Sequence, residues 1–283
     1  MDQIFPRAAR RKLASQIFVT VCIGAAGLAL LALSLIMFSL FTKGFGGLDL
    51  IVFTADTPGP DSAGGLRNAI IGSIIMCSLA MMLAVVVGIL AGTWLAEIGG
   101  NSPYGHVVRF LNDVLLSAPS ILIGLFIYEL LVRPMQGFSA WAGAVALGII
   151  ATPIVTRTTE DILNLQPNAL REAGMALGAS QWVTVRKIIW KAAGAGLLTG
   201  GLLGFARISG ETAPLLFTAL NNQFFNLDMS KPMASLPGVI FQFAMSPFES
   251  WQSLAWAGAL LITVTVLAIN IMGRWIAREK DHK

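Results

Sequence analysis

Long charge-free runs divide this chain, and their lengths suit membrane-crossing helices rather than buried strands. Residues 13–42, 68–96 and 134–156 contain no Asp, Glu, Lys or Arg. At about 1.5 Å rise per residue each is long enough for roughly 30 Å of hydrocarbon. Between the first two, 43–67 holds Gly-Gly, Pro-Gly-Pro, Asp49, Asp56 and Asp61, the composition of a solvated turn-rich loop. Two further segments are apolar but marked by charge, and a sixth follows a long loop. The pattern predicts helices over 16–42, 68–96, 109–132, 134–156, 192–220 and 251–277.

The third segment opens on Asn112 and Asp113, is interrupted by Pro119 and carries Glu129 near its far end. Asp113, Ser117, Ser120 and Gly124 recur at helical spacing, which predicts a small, polar stripe toward a bundle interior. Glu129 and Arg133 have the favoured acid-before-base order of an i,i+4 pair and are read as a pair at a span's end, where long side chains reach water. Past residue 156 eight charges fall within some thirty-five residues, so 157–191 is read as an extramembrane loop with its own structure. Pro167 suits a helix start and Gly178 a helix end, while Ser180 suits the cap of a second helix through Trp182 and Ile188. Val239 to Met245, inside the outer loop 221–250, is too short to cross and is read as an interfacial or re-entrant piece.

The segment 192–220 holds the strongest candidate chemistry. Arg207 and Glu211 stand four apart, and Gly196, Gly200 and Gly204 form a doubled small-xxx-small pattern that allows close helix approach. Gly210 weakens the helix and Pro214 removes a donor, which predicts a break beside the charges. A guanidinium at membrane depth costs roughly 2.5–3.5 kcal/mol on insertion scales, so such groups face a protein interior and mark a pathway. The plainer alternative is that Arg207 and Glu211 only neutralise each other for insertion. Base before acid is the poorer order for a pair whose sole task is neutralisation.

Composition settles the class. Of 283 residues 55% are hydrophobic and 12% charged, against roughly 25% charged in soluble domains, so an all-α integral membrane protein is expected. The N-terminal run is about twice the length of a signal-peptide core and is read as a retained first span. Fourteen of the nineteen Lys and Arg fall on segments assigned to one side and four on the other, Arg207 being the remainder. The excess predicts cytoplasmic segments at 1–15, 157–191 and 278–283, with both termini inside. Two His and two Cys supply neither a metal constellation nor a disulfide framework. There is no phosphate-cradling GxxxxGK[ST], no GxSxG and no HExxH, so catalysis by this polypeptide is not expected.

Glu172-Ala173-Gly174, three residues, then Gly178 resembles the E-A-A-x-x-x-G signature of permease subunits in ATP-binding-cassette importers, with Ile188 at that pattern's later isoleucine. Gly174 departs from the second alanine, and Trp190-Lys191 replaces the usual Leu-Pro. The strings at 112–120, 171–182, 206–224 and 241–247, above all Arg207-Ile-Ser-Gly-Glu-Thr-Ala-Pro214 with its tail, are similar to the phosphate-carrying members. The resemblance implies a type I importer fold of six membrane helices in a bacterial cytoplasmic (inner) membrane. It implies a second, similar permease subunit, two ATPase subunits that bind ATP and Mg, and a periplasmic phosphate-binding protein. It also implies ATPase coupling through Glu172, Ala173 and Gly178, and a phosphate route along Arg207 and Glu211, where Ser209 and Thr212 are candidate donors. No cofactor in this chain and no nucleic-acid partner is expected, only membrane lipid and inorganic phosphate. Three other functions stay open at this point: a permease for another oxyanion (sulfate, molybdate, phosphonate), an ATP-independent channel or carrier, and a membrane anchor with a signalling role.

Overall fold

The computed structural model describes residues 4–60 and 62–280, and every regular element among them is helical. The long helices are α1 (Ile4–Gly46), α3 (Arg67–Trp94), α7 (Ala140–Asn164) and α14 (Glu249–Lys280). The shorter ones before the loop are α2 (Ile51–Thr54), α4 (Pro103–Ser117), α5 (Ser120–Ile127) and α6 (Arg133–Met135). After it come α8 (Asn168–Ala176), α9 (Gln181–Thr184), α10 (Trp190–Ala192), α11 (Gly194–Ser209), α12 (Ala213–Thr218) and α13 (Leu236–Ala244). Single π-helical turns follow α3 (Leu95–Gly99), α5 (Tyr128–Val132) and α9 (Val185–Ile189).

Among the described residues four helices are long and apolar enough to cross a membrane, and two bent pairs bring the number to six when each pair is one span. Pro103–Ser117 meets Ser120–Met135 at 103°, and Gln181–Ala192 meets Gly194–Ser209 at 75°. Pro119 causes the first bend. It holds the N-cap of α5, and Ala118 before it is forced into extended backbone with ψ 133°. The expected stripe of Asp113, Ser117, Ser120 and Gly124 therefore does not exist as one face. Asp113 and Ser117 are exposed on α4, whereas Gly124 is buried on α5 against Pro214. Glu129 and Arg133 form an exposed pair at 2.7 Å.

The fourth helix begins later and ends later than the charge-free run 134–156. Gln136 is left-handed (φ 55°), and the Ser139 hydroxyl, accepting from the Ala142 amide at 3.2 Å, starts α7 only at Ala140. The helix then continues to Asn164, so Arg157, Glu160 and Asp161 lie on it rather than in a loop. Charge marks where a helix leaves hydrocarbon, not where it stops.

α3 and α7 are the centre of the bundle, packed closely through glycine, with Val155 against Gly88 and Thr159 against Gly92. The stripe on α11 lies on α7: Gly196 faces Ile162, Gly200 faces Thr158 and Gly204 faces Val155. A β-carbon at the first two would stand 2.6–2.7 Å from those side chains, so only glycine permits the approach. Met76, Ala80, Leu147, Ala151, Ile208 and Leu215 fill the core between these helices. α13 closes a second core of Val52, Leu66, Val239 and Phe243, and Trp251 stacks on Phe243 at 4.5 Å. α1 rests mainly on α14, and the apolar stretch that defines it as a span is uncovered.

Candidate translocation and coupling sites

α11 ends at Ser209, and the chain passes through Gly210 and Glu211 before α12 starts with Pro214 in its first turn. The break falls beside the charges, as Gly210 and Pro214 predict. Glu211 thus sits just past the helix, where its amide reaches the Ile208 carbonyl at 3.2 Å, and still forms an ion pair with Arg207. The two partners differ sharply in environment. The Glu211 side chain is 6% exposed, whereas that of Arg207 is 54% exposed. The carboxylate is therefore held inside the chain while the guanidinium side chain stands about half uncovered at its surface. In a membrane segment, an uncovered guanidinium calls for a polar route or another protein surface in front of it.

Among the described residues Ser209 makes no hydrogen bond to this pair. Its hydroxyl donates to the Phe205 carbonyl at 2.7 Å, and it lines a mainly apolar cavity of about 390 Å³ with Cys77, Leu236, Ile262 and Val266. Thr212 is half-buried at the start of α12 and makes no capping hydrogen bond there.

At the other station α8 and α9 meet at an elbow. Pro167 precedes α8, Gly178 is left-handed at φ 80°, and the Ser180 hydroxyl accepts from the Val183 amide at 3.5 Å to start α9. Glu172 and Ala173 are exposed on the outer face of α8, next to the exposed apolar side chains Met175, Leu177 and Trp182. The departures from the signature have structural reasons. Gly174 is buried where a β-carbon would lie 2.6 Å from Thr184 Cγ2, so glycine lets α8 close onto α9. Trp190 donates from Nε1 to Thr93 Oγ1 at 3.0 Å and meets Trp182 edge-on at 5.7 Å, which ties α10 to α3.

Two arginine–carboxylate pairs that no local pattern indicated hold this end together. Arg171 of α8 grips Glu97 at 2.7 and 2.9 Å, and Arg109 of α4 grips Glu160 of α7 at 2.6 Å. Arg109 also donates to the Gly100 carbonyl at 2.6 Å and the Leu95 carbonyl at 3.3 Å. Glu97 and Glu160 are each 5% exposed, and the Glu97 hydrogen bonds raise the Arg171 pKa above its ordinary value. The partners are 51 and 74 residues apart, beyond any spacing rule. No group of acidic, His and Cys side chains among the described residues forms a metal-holding cluster.

A bundle of bent spans with a protruding helical elbow is the architecture of importer permeases. The chain belongs to the family described as binding-protein-dependent transport system inner membrane component, which matches residues 84–282. Its relatives include the phosphate transport system permease protein PstA of Pasteurella multocida, 55% identical over 271 residues and covering 96% of this chain and 97% of that one. PstA of Haemophilus influenzae is 52% identical over 263 residues, covering 93% of this chain and 92% of the relative. The probable PstA of Methanocaldococcus jannaschii is 35% identical over 272 residues, with 95% of each chain covered. Among solved structures, the fold is shared with a chain of the MetNI methionine ABC transporter in an inward-facing conformation, with TM-score 0.65, 20% identity and coverage of 76% of this chain and 95% of that one. It is shared as well with a chain of a bacterial alginate ABC transporter, with TM-score 0.66, 11% identity and coverage of 98% of each.

Proposed function

We propose that this chain is the membrane-spanning permease subunit of an ATP-driven importer that moves inorganic phosphate from periplasm to cytoplasm across a bacterial inner membrane. The observation that carries the reading is its identity of 52–55% with bacterial phosphate permeases over nearly the full length of both partners. The excess of Lys and Arg on one side supports termini and elbow in the cytoplasm. The chain performs no catalysis of its own. ATP and Mg are bound by two ATPase subunits, a second permease completes the route and a periplasmic phosphate-binding protein delivers the ion.

Arg207 supplies the positive charge that an oxyanion needs at depth, in a planar fork matched to phosphate oxygens. Glu211, buried behind it, keeps the guanidinium paired when the route is empty and repels the anion when it is occupied, which favours release. Thr212 adds a hydroxyl beside the pair, whereas Ser209 shapes the helix end through its bond to Phe205. The exposed face of α8 with Glu172 and Ala173, turned at Gly178, docks in a groove of the ATPase.

In vesicles containing the assembled complex, ATP-dependent phosphate uptake is expected, with sulfate, molybdate and phosphonate competing poorly. Arg207→Ala should lower uptake roughly tenfold to a hundredfold, the range of one hydrogen bond to a charged group of about 1.5–3 kcal/mol. Unchanged uptake would remove Arg207 from the route, and equal competition by sulfate would transfer the reading to another oxyanion. Flux without ATP would identify a carrier. Glu172→Ala should lower phosphate-stimulated ATP hydrolysis while the protein stays in the membrane, and normal turnover would refute docking through that face.

A further inference from the structure

Every donor of the Arg171 guanidinium is engaged. Nε donates to Glu97 Oε2 at 2.9 Å, and Nη2 to Glu97 Oε1 at 2.7 Å and the Leu163 carbonyl at 2.8 Å. Nη1 donates to the Gln166 carbonyl at 2.8 Å and Asn168 Oδ1 at 3.4 Å. One side chain of α8 therefore holds the turn that ends α3 and caps the carbonyls that end α7. Gln181 of α9 adds a bond to the Glu97 carbonyl at 3.0 Å. A docking helix that only had to be presented to a partner would need far less.

We infer that the Arg171–Glu97 clamp is the rigid link by which displacement of α8 moves α3 and α7 together, and through α7 displaces α11 and Arg207. The inference rests on the transport reading above and adds the route of the stroke. α7 meets α11 through Ile162, Thr158 and Val155 against Gly196, Gly200 and Gly204, contacts too close to slip without separation. Arg109, joining α4 to Glu160 of α7, keeps a fourth helix in register with the moving pair. Arg171 is thus a positioning residue. It touches neither anion nor nucleotide, and its effect appears in the ratio of two rates. Lysine cannot replace it, because a point charge lacks the fork that reaches one carboxylate and two carbonyls together.

The test uses the complete complex in vesicles, with Arg171→Lys and Glu97→Gln. Both variants are expected to co-purify the ATPase at the unmodified ratio and to hydrolyse ATP, while phosphate moved per ATP falls roughly tenfold, within the usual range for coupling between sites. In a background lacking Cys22 and Cys77, cysteines placed at 97 and 171 and joined by a short bifunctional thiol linker should recover transport per ATP. The same variant left unlinked should not. An unchanged ratio in the single variants, or a linker without effect, would overturn the inference. So would loss of transport in step with loss of bound ATPase, because the clamp would then only shape the elbow. A complex that pumps a different anion would sink the phosphate reading alone, since transport per ATP is then counted for that anion.

Discussion

Adding one methyl group at Gly174 tests how tightly the elbow closes. An alanine β-carbon there would stand 2.6 Å from Thr184 Cγ2, 2.7 Å from Thr184 Oγ1 and 3.0 Å from Ile188 Cδ1. The isoleucine tip yields by a rotamer adjustment, but Thr184 is 2% exposed and has nowhere to go. Overpacking of this kind costs about 1–3 kcal/mol, against a gain of about 1 kcal/mol from replacing glycine inside a helix. Gly174→Ala alone should therefore be neutral or destabilise by up to about 2 kcal/mol. Thr184→Ala removes both offending atoms, along with a buried hydroxyl that has no hydrogen-bond partner among the described residues. In that background the helix-propensity gain stands alone, and Gly174→Ala should stabilise by about 1 kcal/mol. The assay is the apparent melting midpoint of the detergent-purified chain, followed by loss of its monodisperse peak, where 1 kcal/mol corresponds to roughly 2–4 °C. Gly174→Ala is expected to be more favourable in the Thr184→Ala background than in the unaltered one by about 1–3 kcal/mol, the overpacking removed. The same shift in both would refute the close contact of α8 with α9.

Removing the arginine from the Arg109–Glu160 pair leaves a buried carboxylate unpaired, so Arg109→Ala should cost about 3–5 kcal/mol and sharply lower the yield of folded protein. Arg133→Ala opens an exposed pair of the same chemistry and should leave the melting midpoint essentially unchanged. A β-carbon at Gly72 would lie 2.1 Å from the Ala234 carbonyl oxygen, a backbone atom that cannot rotate away. Gly72→Ala should cost about 3 kcal/mol or more and make the 221–235 loop more readily cleaved by protease than in the unaltered chain.

The spans were legible because the bilayer demands uninterrupted apolar length, and the breaks because Pro119, Gly210 and Pro214 act on the backbone within a turn of where they stand. Gly178 and Ser180 were readable for the same local reason. What the pattern misjudged was the meaning of charge. Arg157, Glu160 and Asp161 looked like the end of a helix, yet α7 passes straight through them, since charged residues propagate a helix well once it has left hydrocarbon. The clamps were invisible because Arg109 and Arg171 find their carboxylates on other helices, and only the fold supplies that neighbour. At the break between α11 and α12 the spacing of Arg207 and Glu211 signalled a pair. Their unequal exposure depends on where α11 stops.

The way α1 is held constrains the order of assembly. Its seam is made with α14, where Lys43 lies over the Trp256 ring at 5.0 Å and Gly44 and Gly47 abut Leu260 and Ser253. α1, synthesised well before α14, thus has its main intramolecular docking site on a helix made much later. During synthesis it must wait in lipid until α14 has been inserted, and a nascent chain stalled before α14 would leave α1 undocked and open to quality-control proteases.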